Sequence, residues 1–359
     1  MLKILITVII MIIYISSISN ILKKKKINKG KELLKEKENF SKNKNNPVET
    51  NPNKDTNIRN NIDQKINLNN NINTNTNPKF KTFEEFSNQL NNLNIENIKK
   101  ILGFITINLD KDKNRELKRK AARKIIDPVT LKKIENLPKN FITTDKWPNC
   151  GSYVKSQGYC ASCWAFSASE VLQDRYCIKK GFQVPEFSVQ ELISCDYDNF
   201  NCEGGDLKQV WEYLESKGTV TEECFPYGNK NGGKLKRCTK TCDNGKAKSY
   251  IMSKYYKTFD TSNSDEIKLE IYENGPIMTG FEVYWDFLTY KSGIYTKSED
   301  SEFLGGHAVK IIGWGEENGI KFWVAKNSWG YSWGENGFFR FKMDSCCQFE
   351  ENCITGYAV

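Results

Sequence analysis

This sequence has a single histidine, His307, in 359 residues. Imidazole-based metal sites draw on two or three such rings, so that class of chemistry is excluded. One Cys-x-x-Cys stands at Cys160 to Cys163 with no second to pair with it, which removes the usual cysteine-built zinc sites. Cysteine is missing altogether before residue 150, and all twelve lie between Cys150 and Cys353. Large apolar side chains are scarce in residues 28–79 after Phe40. Asn and Lys dominate there, and such a segment cannot bury enough surface to offset its ordering entropy, so disorder is expected. The cysteine-bearing part also lacks an excess of positive charge. Residues 1–137 carry 28 Lys and Arg against 14 Asp and Glu, a net +14, whereas residues 138–359 carry 25 against 30, a net −5. The overall +9 therefore sits in the least foldable part of the chain and does not argue for nucleic acid as a partner.

What is present begins with an apolar run from Ile4 to Ile15. Ser17 and Ser19 are small residues placed as a signal-peptidase site needs, so residues 1–19 read as a signal peptide. The competing reading is an uncleaved anchor, since residues 4–22 approach the length of a membrane span. The lysines at 23–26 would then leave the downstream chain in the cytosol, where disulfides do not persist. Cysteine clustering behind an apolar leader points instead to an oxidising compartment. Asn39-Phe40-Ser41 is the one glycosylation sequon found. Order is expected to resume near Phe80: Phe80, Phe83, Phe86, Leu90 and Leu93 sit at helical spacing, and Ile95, Ile98, Ile101 and Leu102 continue it. Residues 111–124 are strongly basic. From Pro138 the composition turns rich in Cys, Trp and Gly, which sets the main boundary near 133–138.

Beyond that boundary the elements segregate. Cys163–Lys180 reads as a helix closed by Gly181. Ser188 and Glu191 form a capping box that opens a short helix. Residues 207–217 read as another helix, closed by Gly218. After about Ala247 strands take over, at 310–313, 320–326 and 338–342, with a helix over 264–274 as the exception. The expectation is an α+β fold with a mainly helical half, 138–246, a mainly β half, 247–359, and a cleft between them.

The most informative stretch is Gln157-Gly158-Tyr159-Cys160-Ala161-Ser162-Cys163-Trp164-Ala165-Phe166. His307 lies in Gly305-Gly306-His307-Ala308, 144 residues after Cys163, and Asn327 in Lys326-Asn327-Ser328-Trp329-Gly330, 164 after. A thiolate is the nucleophilic form of cysteine, and Cys163 opens a helix, whose dipole favours an anion. An imidazolium at His307 would stabilise that anion and then protonate a leaving amine. Taken singly, each residue has a plainer reading: half a disulfide, a core histidine, a turn asparagine. In this order, with the only histidine where a base is required, they point to nucleophilic catalysis.

These segments resemble the motifs of papain-like cysteine proteases, and within that family those of cathepsin B. Trp147-Pro148-Asn149-Cys150, Asp174-Arg175-Tyr176-Cys177, Tyr290-Lys291-Ser292-Gly293 and Asn336-Gly337-Phe338-Phe339 carry the second likeness. The resemblance runs from about Leu137 to Val359 and departs at Ala161, where glycine is usual. It implies a papain-like two-subdomain fold and a cysteine-type endopeptidase made as an inactive zymogen, with no cofactor and no metal. Residues 20–79 become a low-complexity pro-region, 80–137 a helical inhibitory propeptide and 138–359 the peptidase domain. Residues 97–104 resemble the run that occupies the cleft, and cleavage is expected between Lys124 and Pro138. Asn327 would hold the His307 ring in plane, and Gln157 would donate to the oxyanion beside the Cys163 N–H. Gly204 and Gly205 resemble the rim that binds the substrate backbone. Trp329 would shield the Asn327–His307 contact and help bind substrate.

The same resemblance implies disulfides from Cys150 to Cys177, Cys160 to Cys202, Cys195 to Cys238 and Cys224 to Cys242. Cys346, Cys347 and Cys353 remain, one of them free. Implied partners are protein or peptide substrates, the chain's own propeptide and cystatin-type inhibitors, with a monomer in a lysosome-like acidic compartment or outside the cell. The histidine-bearing loop with which cathepsin B holds a carboxyl terminus is replaced by a short segment with Lys230, Lys234, Lys236 and Arg237, which favours endopeptidase action. The acidic residue of the family's specificity pocket falls at Asn352, favouring bulky apolar side chains. Two alternatives stand beside this reading: a catalytically weak or inactive homologue that acts as a binding protein, and a membrane-anchored protease.

Overall fold

The structure, a computed structural model, describes residues 101–103, 127–232, 234–259 and 264–359. The leader, the Asn- and Lys-rich stretch, the sequon at Asn39 and the helical spacing from Phe80 to Ile98 lie outside these residues. Ile101 and Leu102 lie within them and do not continue a helix. Ile101 is in a turn and Leu102 in irregular chain, because their backbone is engaged by the cleft described below.

Helices come first along the chain. Helix α1, Pro128–Glu135, starts on Asp127, whose carboxylate accepts from the N–H groups of Val129 and Thr130. A short strand β1, Phe141–Ile142, and the single turn α2, Thr143–Lys146, lead to α3, Cys163–Lys180. Gly181 closes α3 in the left-handed conformation at φ 75°. Every residue from Cys163 to Arg175 is buried, so the charged ones need buried partners. Glu170 lies 2.7 Å from Lys326, Asp174 pairs with Lys310, and Arg175 lies 3.1 Å from Glu270.

Helix α4, Val189–Cys195, begins at Ser188, whose Oγ accepts from Glu191 N at 3.0 Å. The reciprocal half of the expected capping box is not made. The Ser188 N–H is taken by Val220 O at 2.7 Å, and Glu191 pairs with Lys248 at 2.5 Å instead. Helix α5, Leu207–Ser216, buries Leu207, Val210, Trp211 and Leu214 at helical spacing. It ends one residue earlier than expected, with Lys217 as its cap.

From Ser253 strands dominate: β2 Ser253–Thr258, β3 Ile277–Tyr284, β4 Ile294–Tyr295, β5 Phe303–Glu317, β6 Ile320–Lys326, β7 Phe338–Lys342 and β8 Ile354–Ala358. Helix α6, Ser264–Asn274, precedes β3, and the turn α7, Trp285–Leu288, follows it. Among the described residues the sheet runs β2-β8-β3-β5-β6-β7-β4, with β1 beside β5. Strand β5 is far longer than residues 310–313. Pairing along β3, with Phe281 opposite His307, carries it through Gly305 and Gly306, a glycine pair that discourages strand on its own.

One apolar cluster fills the sheet side around Phe281, Phe287, Trp333 and Phe339. The other lies around α3 and holds Trp164, Leu172, Leu192 and Trp211; Cys163 of α3, Met278 of β3 and Ala308 of β5 also belong to it. The start of α3 is therefore packed against the middle of the sheet. Bridges join Cys150 to Cys177, Cys160 to Cys202, Cys195 to Cys238 and Cys224 to Cys242. A fifth joins the adjacent Cys346 and Cys347. Cys163 and Cys353 are free and buried. No described helix is long and apolar enough to cross a membrane.

Candidate active site

Cys163 is the first residue of α3, and its N-cap Ser162 makes no side-chain cap bond. First-turn N–H groups are thus not consumed by a cap. The thiol is fully buried, and burial pushes it up to about 12, against the opposing pull of backbone groups at Ala308, Gly103, Trp164 and Cys163 itself.

His307 sits in the centre of β5 with its ring Nε2 2.7 Å from Asn327 Oδ1. Ser328 N donates to the same oxygen at 2.7 Å. A backbone N–H only donates, so Oδ1 is the acceptor and Nε2 carries the hydrogen. In the neutral ring Nδ1 then holds the lone pair, and it has no hydrogen-bond partner among the described residues. Burial depresses His307 to about 4, with the Asn327 bond acting the other way. The Trp329 ring lies 4.5 Å from the imidazole, centroid to centroid. At 4% exposure it covers the ring and offers a substrate little surface here.

Gln157 is oriented from behind. Its Oε1 accepts from Ser328 Oγ at 2.6 Å, and its Nε2 donates to Ile101 O at 3.1 Å and to Cys160 O at 2.9 Å. Residues 101–103 therefore lie against the catalytic candidates. Gly205 N donates to Gly103 O at 2.8 Å. A Cβ on Gly103 would fall 1.9 Å from Ala161 O, so no other residue lies this close. Gly205 is bound by the same rule, because a Cβ there would meet the Trp164 ring at 2.6 Å. Gly204 precedes it and accepts from Phe200 N at 3.0 Å. Ala161 fits where glycine was expected: its N–H reaches Cys202 O at 3.0 Å and its methyl is buried. Ser328 links Gln157 to Asn327 and so to the His307 ring, whereas no hydrogen bond joins His307 Nδ1 to the Cys163 thiol. Burial disfavours the charged form of both Cys163 and His307.

The short basic segment is fixed beside this loop by Tyr159 N donating to Lys230 O at 3.0 Å. Lys236 is engaged with Asp243 at 2.6 Å. Asn352 Nδ2 donates to Gly280 O at 2.9 Å, and Glu350 is buried beneath the Trp323 Nε1 and Asp344 N donors at 2.8 and 2.9 Å. Both donors reach the same oxygen, Glu350 Oε1, and tie this buried carboxylate to the local fold. No group of three or more His, Cys, Asp or Glu among the described residues is placed to hold a metal ion. Sequence reasoning missed Ser328, which orients both Gln157 and Asn327, although it lies inside a quoted motif. It also missed the buried acid–base pairs under α3, for which single charged residues in a helix give no signal.

A gut-specific cysteine proteinase of Caenorhabditis elegans is 38% identical over 247 residues, 63% of this chain and 75% of the relative. A cathepsin B of Dictyostelium discoideum is 35% identical over 277 residues, 73% of this chain and 84% of the relative. Among solved structures, a procathepsin B from Trypanosoma congolense superposes with a TM-score of 0.64 at 28% identity, covering 78% of this chain and 98% of that one. Bromelain from Ananas comosus, in complex with the E64 inhibitor, gives 0.51 at 28% identity over 62% of this chain and all of its own. Residues 137–357 match the model of the papain family cysteine proteases, and the chain belongs to that family.

Proposed function

We propose that Cys163 is the nucleophile, His307 the proton carrier, Asn327 the residue that holds its ring, and Gln157 with the Cys163 N–H the oxyanion donors of this cathepsin B-like endopeptidase. The enzyme is a cysteine-type peptidase made as a zymogen, with peptides as substrates and its own propeptide as partner. In the reaction the thiolate attacks the substrate carbonyl carbon, and the developing oxyanion takes the amide donor of Gln157. His307 protonates the leaving amine, then takes a proton from the water that splits the thioester.

The observation that supports this reading most is the double grip on residues 101–103, Gln157 Nε2 on Ile101 O and Gly205 N on Gly103 O. An extended peptide gripped at those donors crosses the sulfur. Residues 1–19 as signal peptide, 20–79 as pro-region, 80–137 as propeptide and 138–359 as peptidase complete the organisation. The enzyme is a monomer of the secretory route, bound for an acidic lysosome-like compartment or the outside, and open to cystatin-type inhibitors. The short segment 228–237 leaves the cleft without a histidine-bearing cap, so internal bonds are cut, with a bulky apolar residue two positions before them. An epoxide affinity label tests the assignment after acid processing. Label on Cys163 by mass spectrometry, lost in His307→Ala, is expected; no label, or label on other cysteines, returns the chain to the binding-protein reading.

A further inference from the structure

Cys346 and Cys347 are neighbours in sequence, their Cα atoms 3.7 Å apart, and the structure closes them into a bridge. The other four bridges span 18 to 43 residues. A disulfide stabilises a fold mainly by restricting the unfolded chain, and more so the longer the loop it closes. The bridge between neighbours restricts it least, so the fold gains least from keeping it closed. Access alone does not single it out: Cys346, Cys202 and Cys242 are each half-buried and Cys238 is exposed. The bridges of Cys202, Cys238 and Cys242, however, close 18 to 43 residues onto buried partners, Cys160, Cys195 and Cys224.

The backbone adds a reason for opening. Cys347 and Gln348 have φ of 70° and 60°, two successive non-glycine residues in the left-handed region that such residues avoid. What the turn touches is the wall beside the catalytic histidine. Glu282 N donates to Cys347 O at 2.8 Å, and Gln348 Nε2 donates to Glu282 Oε1 at 2.7 Å. On β3, Glu282 lies opposite Gly306 and Gly280 opposite Ala308, the two neighbours of His307.

We propose that Cys346 and Cys347 form a reversible dithiol–disulfide site, opened by dithiol reductants ahead of the other four bridges and able in the open form to bind a soft thiophilic ligand across both sulfurs. In the step, one reductant thiolate attacks a bridge sulfur, the S–S bond breaks and a mixed disulfide forms. The reductant's second thiol resolves it, so the reductant leaves as a cyclic disulfide and both cysteines become thiols. Opening releases the turn and loosens the Cys347 O acceptor that holds Glu282 N.

The full chain carrying Cys163→Ser is titrated with dithiothreitol, trapped by alkylation and mapped by mass spectrometry. These readouts do not depend on catalysis, so their failure is distinct from failure of the protease assignment. Cys346 and Cys347 should open at reductant concentrations about tenfold below any other pair. Phenylarsine oxide should then add once, and not at all after Cys346→Ser. Amide exchange at Glu282 should quicken on opening. Opening together with or after another bridge overturns the proposal, as does an opened chain that takes up no arsenical. An unchanged Glu282 amide overturns the coupling to the cleft wall. If Cys346→Ser fails to fold, the titration of the parent chain still decides.

Discussion

At the scale of single residues, Gln157 depends on a hydroxyl that lies 171 positions away in sequence. Ser328 Oγ holds Gln157 Oε1, and Ser328 N holds Asn327 Oδ1. Removing an oxyanion donor costs roughly 10²-fold or more in kcat, so Gln157→Ala should fall in that range. Ser328→Ala leaves the amide in place but unfixed and should cost about tenfold. The Gln157→Ala/Ser328→Ala double variant should then fall by less than the product, measured as kcat/KM on one peptide. Cys163, His307, Asn327 and Gln157 stand out as candidates in the sequence because each sits in a local pattern with a fixed neighbour. The role of Ser328 could not, since it exists only after β6 is folded against the loop of Gln157.

At the scale of elements, helix α3 carries the proposed nucleophile, and strands β5 and β6 carry or precede its proposed partners. What joins them is a set of buried charges, Glu170 with Lys326 and Asp174 with Lys310. Lys326 also donates to Ser152 Oγ at 2.9 Å and to Ser152 O at 3.1 Å. Breaking a buried pair from one side leaves an uncompensated charge, at a cost of about 3 to 5 kcal/mol. Glu170→Gln should therefore lose about 3 kcal/mol in urea unfolding. Adding Lys326→Met should recover part of that, which an unpaired-charge account requires and a simple packing account does not. Helix ends were readable because Gly181, Ser188 and Gly218 are punctuation. Strands β3 and β8 carry no strand signal because buried runs such as Ile277–Tyr284 show no polar alternation, and β2, Ser253–Thr258, is mostly exposed and so lacks a clear apolar face.

At the scale of the whole chain, residues 101–103 cover the site, and acid should uncover it. Burial holds His307 at about 4, below its ordinary 6.5. A ring brought nearer to water binds a proton more readily than this buried one, so falling pH favours an opening that wets the ring and rising pH favours the buried state. Charge works in the same direction as carboxylates protonate: residues 80–137 carry 13 Lys and Arg against 8 Asp and Glu, a net +5, facing the net −5 of residues 138–359. A synthetic peptide of residues 80–137 should thus inhibit the processed enzyme more weakly at pH 4.5 than at pH 7; equal inhibition at both sinks both accounts. Added salt separates them, because it screens the long-range attraction and leaves the histidine contribution. Gly103→Ala in that peptide should weaken inhibition at either pH, since a methyl meets Ala161 O. Trp314 Nε1 on β5 donates to Pro138 O at 3.0 Å, which ties the chain at the composition change to the sheet.

The cover also bears on how one molecule comes to life. The donors of Gln157 and Gly205 are both taken by carbonyls of residues 101–103, so a covered molecule has no free place to seat another stretch of chain for cutting. The first cut must come from a molecule that is already uncovered. Activation is then a chain reaction between molecules: its onset lag shortens as the protein is concentrated, and a trace of processed enzyme abolishes the lag. A lag independent of concentration would instead mean that each molecule liberates itself.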